Sequence, residues 1–288
     1  MSRQAINIKA KDGYPIGAVH FMPPQGTQPL GQIVICSATG VLQGFYADVA
    51  SFLAERGFDV YTFDYRGIGA SREGSLKGFS ASLNDWAEDI IAVATYAKAQ
   101  KELPLFALAH SIGGQLLTLS SESSLWDGIT TVASQSGYWK KFAGKYQFKM
   151  WLFWHILLPM AKWVGYFPAK RLGLFEDLPQ AVSKQWCVWG KHPDYLKHEF
   201  PNAFNDITCP VRVYGIEDDY EFAPKKAVDW FAQQFVNAAV TRIHIVPENF
   251  GLEKLEHFNF FRKSMRSIFW NDLALFFEKE SNKRLIKL

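Results

Sequence analysis

The stretch FALAHSIGGQLL, residues 106–117, carries an apolar strand straight into Ser111 and on into a helix. A serine on so sharp a strand-to-helix turn is forced outward, and only small neighbours let the two backbones approach. Ala109 stands two residues before it and Gly113 two after, with Gly114 adding room. The unpaired N–H groups that open a helix would face any negative charge developing at the serine. A hydroxyl is a poor nucleophile until a base takes its proton, and the base needs an acid to orient it. The chemistry in view is acyl transfer through a serine. A helix-capping serine followed by a packing glycine gives the same local pattern, so the surrounding elements and partners must decide.

Those elements alternate. AINIKA and IGAVHFM read as strands joined at the KDGYP turn, an antiparallel opening hairpin. QIVICS (32–37) is an apolar run without polar alternation, the pattern of a strand covered on both faces. The helix YADVASFLAERG stops at Gly57. FDVYTFDYRG (strand), LNDWAEDIIAVATYAKAQ (helix), LPLFALA (strand), SIGGQLLTLSS (helix) and GITTVASQSG (strand) follow. After a break the rhythm resumes with CPVRVYGIED, the helix KKAVDWFAQQF, the strand VTRIHIVP and a last helix over about 261–278. Such alternation predicts an α/β fold, a mostly parallel central sheet flanked by helices. In open sheets of this kind chemistry collects beyond the C-terminal strand ends, which is where Ser111 falls.

The segment around Ser111 resembles the nucleophile elbow G-x-S-x-G of α/β-hydrolases, with Ala109 in place of the first glycine. DYRGIGAS (64–71) resembles the D-x-R-G-x-G-x-S loop frequent in that superfamily. It is no dinucleotide fingerprint, because Arg72 occupies the third glycine position. ATGVLQGFY, FDYRGIGASR and HFNFFR extend the likeness to a group of bacterial α/β-hydrolases akin to serine aminopeptidases and monoglyceride lipases. The resemblance covers most of the chain outside one insertion and implies the α/β-hydrolase fold with an inserted helical cap.

The superfamily's chain order of serine, acid, histidine restricts the partners to residues downstream of Ser111. In VRVYGIEDDYEFAP, Asp218 matches the G-x-x-D that follows a late strand, with Pro224 beyond it; Asp219 is the adjacent rival. His257, in KLEHFNFF, lies past the last strand and is the expected base. His244 falls inside a strand, His155, His192 and His198 precede the acid, and His110 would point away from its neighbour Ser111. Many relatives carry Gly-His at the base, whereas this chain has Glu256. The oxyanion needs two waiting donors. The resemblance implies the backbone N–H of Ile112 and that of Thr39, with Ala38 the alternative.

Residues 1–137 and 206–288 then form the hydrolase core and 138–205 the cap. Six of the ten tryptophans fall in the cap: Trp139, Trp151, Trp154, Trp163, Trp186 and Trp189. An apolar cap would exclude water and shape a pocket for an acyl or aromatic group, with Trp151, Trp154 and Phe258 as its expected lining. MWLFWHILLPMAKWVGYF approaches the length of a membrane span, but Lys162, His155 and the interior Pro159 argue against one. It is instead a candidate surface for peripheral membrane contact or self-association.

Composition narrows the rest. A net charge of +3 over 288 residues gives no electrostatic footprint for nucleic acid. Three scattered cysteines without CxxC or HxxxH spacing suggest neither zinc nor a disulfide framework. The N-terminus lacks an apolar signal core, which predicts a cytoplasmic protein with reduced thiols. The expectation is a serine hydrolase (carboxylesterase or lipase-like) cleaving a small-molecule ester with an apolar portion, without metal or organic cofactor. Acyl transfer or amide and peptide hydrolysis on the same residues, or a noncatalytic small-ligand binder of this fold, are the alternatives.

Overall fold

The computed structural model describes residues 2–119 and 122–285. In chain order β1 (Arg3–Lys9) and β2 (Pro15–Phe21) form the opening hairpin, followed by β3 (Gly31–Cys36), α1 (Ala47–Glu55), β4 (Phe58–Phe63), α2 (Leu83–Gln100), β5 (Leu105–His110), α3 (Ile112–Leu116) and β6 (Gly128–Val132). The core returns later with β9 (Val211–Ile216), α7 (Lys225–Ala232), β10 (Val240–Ile245) and α8 (Asn271–Leu285). Between them lie α4 (Gly144–Leu152), α5 (Ala161–Val164), β7 (Tyr166–Phe167), β8 (Leu178–Pro179) and α6 (Gln180–Lys191).

Eight strands make one sheet in the order β1-β2-β4-β3-β5-β6-β9-β10. β2 pairs antiparallel with both β1 and β4, and the other pairings are parallel. Every residue of β3, β4, β5 and β6 is buried, as expected of parallel strands covered on both faces. α2 has the predicted bounds because Ser82 and Asp85 close a capping box at its start. The chain passes from β3 to β4 on one side and then crosses to β5 on the other. The loops leaving β3 and β5 therefore diverge from a switch point, where α/β sheets open a crevice.

Three expectations shift. The helix predicted through Ser121 closes at Leu116, and Ser120 and Ser121 lie outside the described residues. The last helix starts later, at Asn271, after 3-10 turns at Asn259–Phe261 and Lys263–Met265 and a π turn at Arg266–Trp270. Trp270 donates its indole N–H to the Phe260 carbonyl at 2.8 Å, which holds that irregular stretch against the core. The insertion is mainly helical but includes the two-residue pairing of β7 with β8. Its long apolar run is broken into α4, a π turn (Phe153–Leu157), a 3-10 turn (Leu158–Met160) and α5. Pro159 supplies no N–H to a continuous helix. Among the described residues no helix is long and apolar enough to cross a membrane.

Candidate active site

Ser111 sits directly after β5 with φ 52° and ψ −118°. A non-glycine residue at positive φ is strained and persists only where its surroundings hold it. Its N–H donates to the Val132 carbonyl at 3.0 Å and its carbonyl accepts from Gly114 at 3.2 Å, so the peptide groups on both sides of the residue are pinned. The small neighbours have a measurable reason. A Cβ on Gly113 would lie 2.4 Å from the Cys36 carbonyl oxygen, and one on Gly114 would lie 2.2 Å from the Ser134 hydroxyl. The turn is thus wedged between the ends of β3 and β6.

The expected base, His257, and the carboxylate that meets it come from loops after β10 and β9. His257 Nδ1 lies 2.5 Å from Asp219 Oδ2, and the two side chains are 4% and 1% exposed. The other oxygen of Asp219 accepts the N–H groups of Phe222 and Ala223, each at 3.2 Å. With Nδ1 engaged, Nε2 is the nitrogen left to exchange a proton.

Asp218, the acid expected from the sequence, does not reach the imidazole. Its two oxygens accept the N–H groups of Leu255 and Glu256, each at 2.9 Å. The tight turn after β9 sends successive side chains in different directions, so one residue of register separates the partner of the ring from the clamp on its loop. Glu256, where the family resemblance led to an expectation of glycine, has φ 52°. That conformation suits glycine, and here Asp218 holds it.

His110, expected to point away from Ser111, enters a network that sequence reasoning missed. Its Nε2 lies 3.0 Å from the backbone carbonyl of His257. A carbonyl only accepts, so Nε2 carries the hydrogen. Nδ1 then accepts from the Tyr46 hydroxyl at 2.8 Å, and that oxygen in turn accepts the N–H of Ala38 at 2.9 Å. Every donor meets an acceptor with a neutral imidazole. Complete burial, helped by the neighbouring His257, holds the His110 pKa well below 6.5. The network joins the loop after β3, the serine turn and the loop carrying His257. A buried histidine ending an all-apolar strand was the one signal available, since such a ring demands partners.

The network also separates the two oxyanion candidates. The Ala38 N–H is committed to Tyr46. Among the described residues the Thr39 N–H and hydroxyl have no partner, although Thr39 is 7% exposed. Ile112 opens α3, so its N–H has no acceptor within the helix.

The expected lining divides. Phe258 lies at the site, its ring 4.9 Å from that of His257 and 5.6 Å from that of His110. Phe222 stands 5.0 Å from His257 and 5.9 Å from Phe258, so the three rings form one cluster, and Phe45 lies 6.3 Å from Phe258. Trp154 instead fills the interior of the insertion: it is buried against Phe153 and Trp186 and donates to the Gly137 carbonyl at 2.8 Å. Trp151 stacks on Phe148 and His155 along an exposed face. Both expectations are corrected: three residues apart they would share a face of one regular helix, but α4 gives way to a π turn at Phe153, and Trp151 is left exposed while Trp154 enters the insertion's own core.

The insertion nonetheless touches the site. The Tyr195 hydroxyl donates to Gln115 on α3 at 2.8 Å, and Glu176 donates its N–H to the carbonyl of Gly40 at 3.0 Å. A Cβ on Gly40 would lie 2.7 Å from the Phe175 ring. DYRGIGAS is tied in structurally: Asp64 accepts from the backbones of Gln43 and Ala70, and Arg66 pairs with buried Asp89.

A crossed parallel sheet with a strained serine at the tip of its central strand defines a hydrolase of the α/β-hydrolase superfamily. More narrowly, residues 27–177 match the family of serine aminopeptidases S33, about half of the chain, and the chain belongs to that family. It is 35% identical over 95 residues to a Schizosaccharomyces pombe protein named as a candidate monoglyceride lipase. That match spans 31% of this chain and 24% of the relative. A second, an abhydrolase domain-containing protein of Dictyostelium discoideum, is 35% identical over 116 residues, 40% of this chain and 12% of that one. The chain thus matches a quarter or less of these relatives' lengths. Among solved structures, a monoglyceride lipase of Saccharomyces cerevisiae superposes with a TM-score of 0.65 at 16% identity, covering 96% of this chain and 94% of that one. Est1E of Butyrivibrio proteoclasticus gives 0.60 at 18% identity, covering 96% and 98%.

Proposed function

We propose that the chain is a serine esterase that cleaves a small ester with an apolar acyl or alkyl portion through an acyl-enzyme. The observation that carries the reading is the buried His257–Asp219 pair, 2.5 Å apart, whose loop is bonded through the His257 carbonyl to His110, the neighbour of a serine held at positive φ. The Ser111 hydroxyl passes its proton to His257 Nε2 as its oxygen attacks the ester carbon. The carbonyl oxygen gains the charge and takes the N–H groups of Ile112 and Thr39. The tetrahedral intermediate then expels the alcohol, which collects the proton from His257. Water repeats the sequence and releases the acid. Asp219 holds the ring and stabilises its charged form.

Phe45, Phe222 and Phe258 give the site an apolar rim, which fits an acyl chain better than a charged peptide. The names of the monoglyceride lipases among the similar proteins point the same way. The insertion acts as the cap: through Glu176 and Tyr195 it lies against both the oxyanion loop and α3, and Ser111 is left 7% exposed. Exclusion of water strengthens each electrostatic contact inside.

A fluorophosphonate probe tests the nucleophile. The wild-type chain should be labelled once and Ser111→Ala not at all; an unlabelled wild type removes the reading. Hydrolysis of p-nitrophenyl esters of graded length, compared with aminoacyl amides, then tests the substrate class.

A further inference from the structure

Residues 138–175, the first half of the insertion, contain six lysines and one arginine and no aspartate or glutamate. The chain as a whole carries only +3, so this single stretch exceeds it and the remainder is net negative. The same stretch exposes large apolar side chains. Trp163 is 75% exposed, Phe148 63% and Ile156 48%, with Met160 and Trp151 also open. A monomer rarely leaves bulky groups of this size in water without a use for them.

Four rings form a continuous row on this stretch. Phe148 stacks on Trp151 at 6.1 Å, Trp151 on His155 at 5.0 Å, and His155 meets Trp139 edge-on at 6.2 Å. Cations stand beside these rings: Lys140 lies 5.2 Å from Trp139 and Lys162 lies 4.8 Å from Trp163. Lys149 and Lys170 are paired with Glu221 and Glu176 from outside the stretch. Among the described residues Lys140, Lys141, Lys145, Lys162 and Arg171 have no acidic partner.

We propose that this face docks peripherally on an anionic lipid bilayer, with Phe148, Ile156 and Trp163 entering the headgroup boundary and the lysines facing lipid phosphates and carboxylates. Apolar and aromatic side chains on one face, rimmed by lysine, are what interfacial binding requires. Charge selects this occupant over a second copy of the chain. A two-fold contact through the patch would set the stretch's five cations without an acidic partner against the same five, whereas an anionic surface neutralises them. The segregation of charge also orients the molecule, its acidic remainder turned from the membrane.

The test is co-sedimentation of the full chain with vesicles of phosphatidylcholine alone and of phosphatidylcholine mixed with phosphatidylserine. Binding should require the anionic lipid and weaken with salt. The double variant Phe148→Ser, Trp163→Ser should lower partitioning at least about tenfold, and Lys145→Glu with Lys162→Glu by at least about fivefold per charge. All four positions are exposed, and circular dichroism checks that the variants fold. Ser111→Ala should bind like wild type, which keeps the proposal separate from the esterase reading. Failure to sediment with anionic vesicles, equal binding to neutral ones, or binding indifferent to these substitutions overturns it. So does a concentration-dependent dimer that the same substitutions dissolve.

Discussion

Asp218 accepts the backbone N–H of Glu256 at 2.9 Å, one residue short of the imidazole that its own neighbour Asp219 holds. Two adjacent carboxylates thus divide the work of presenting His257. Asp219 fixes the ring and Asp218 fixes the turn beneath it.

That division predicts unequal losses. Asp219→Asn should lower kcat by roughly 1,000- to 10,000-fold, because an amide favours the wrong tautomer of the ring. Asp218→Asn keeps an acceptor oxygen and should cost about tenfold or less, together with a fall in stability of about 1–2 kcal/mol. Ester kinetics and thermal melts on the two variants decide the matter. Equal inactivation would return the acid role to Asp218.

Tyr46→Phe removes the one oxygen that serves both the Ala38 N–H and His110 Nδ1. Two buried polar groups lose their partner, at a cost of about 2–4 kcal/mol. Urea unfolding should show this, and kcat should fall further than KM rises, since the loops displaced carry the oxyanion donor and the base. Unchanged stability would mean that the network carries little.

His110 also sets a pH dependence. An unfolded chain titrates this imidazole near 6.5, while burial keeps the folded form neutral to much lower pH. Below 6.5 the unfolded state therefore binds a proton that the folded state refuses. The stability contribution is complete above that value and is lost as pH falls, at up to about 1.4 kcal/mol per unit. Comparing wild type with His110→Gln across pH 5–7 isolates the effect from that of other histidines, among them neighbouring His257. Parallel curves would contradict it.

Gly113→Ala places a Cβ 2.4 Å from the Cys36 carbonyl oxygen. Backbone must move, so stability should fall by about 1–3 kcal/mol or more, and activity should fall with it as β3 and the serine turn part. Ala109→Gly, which restores the superfamily's first glycine, should instead cost about 0.5–1 kcal/mol in strand stability and leave kcat unchanged. Denaturant titrations of both variants test the contrast.

Much of this was legible beforehand because backbone chemistry is local. Strands buried on both faces read as apolar runs, and α2 spans the stretch its amphipathic pattern predicted. The turn at Ser111 showed itself through the small residues beside it. The acid was misplaced by one residue because a loop's register depends on where Ile216 leaves the sheet, which no pattern in GIEDDYEFAP encodes. Trp151 and Trp154 were assigned to a pocket on composition alone. Which of them faces inward depends on the phase of a helix interrupted by a π turn. Tyr46 and His110 lie 64 positions apart, and it is the parallel pairing of β3 with β5 that brings them together.

Because Ser111 and His110 are consecutive, the tip of β5 grips the nucleophile with one residue and the base-bearing loop with the other. Ser111, the loop bearing His257 and the loop after β3 are thus anchored at one point of the sheet, so a substitution at that point reaches all three at once.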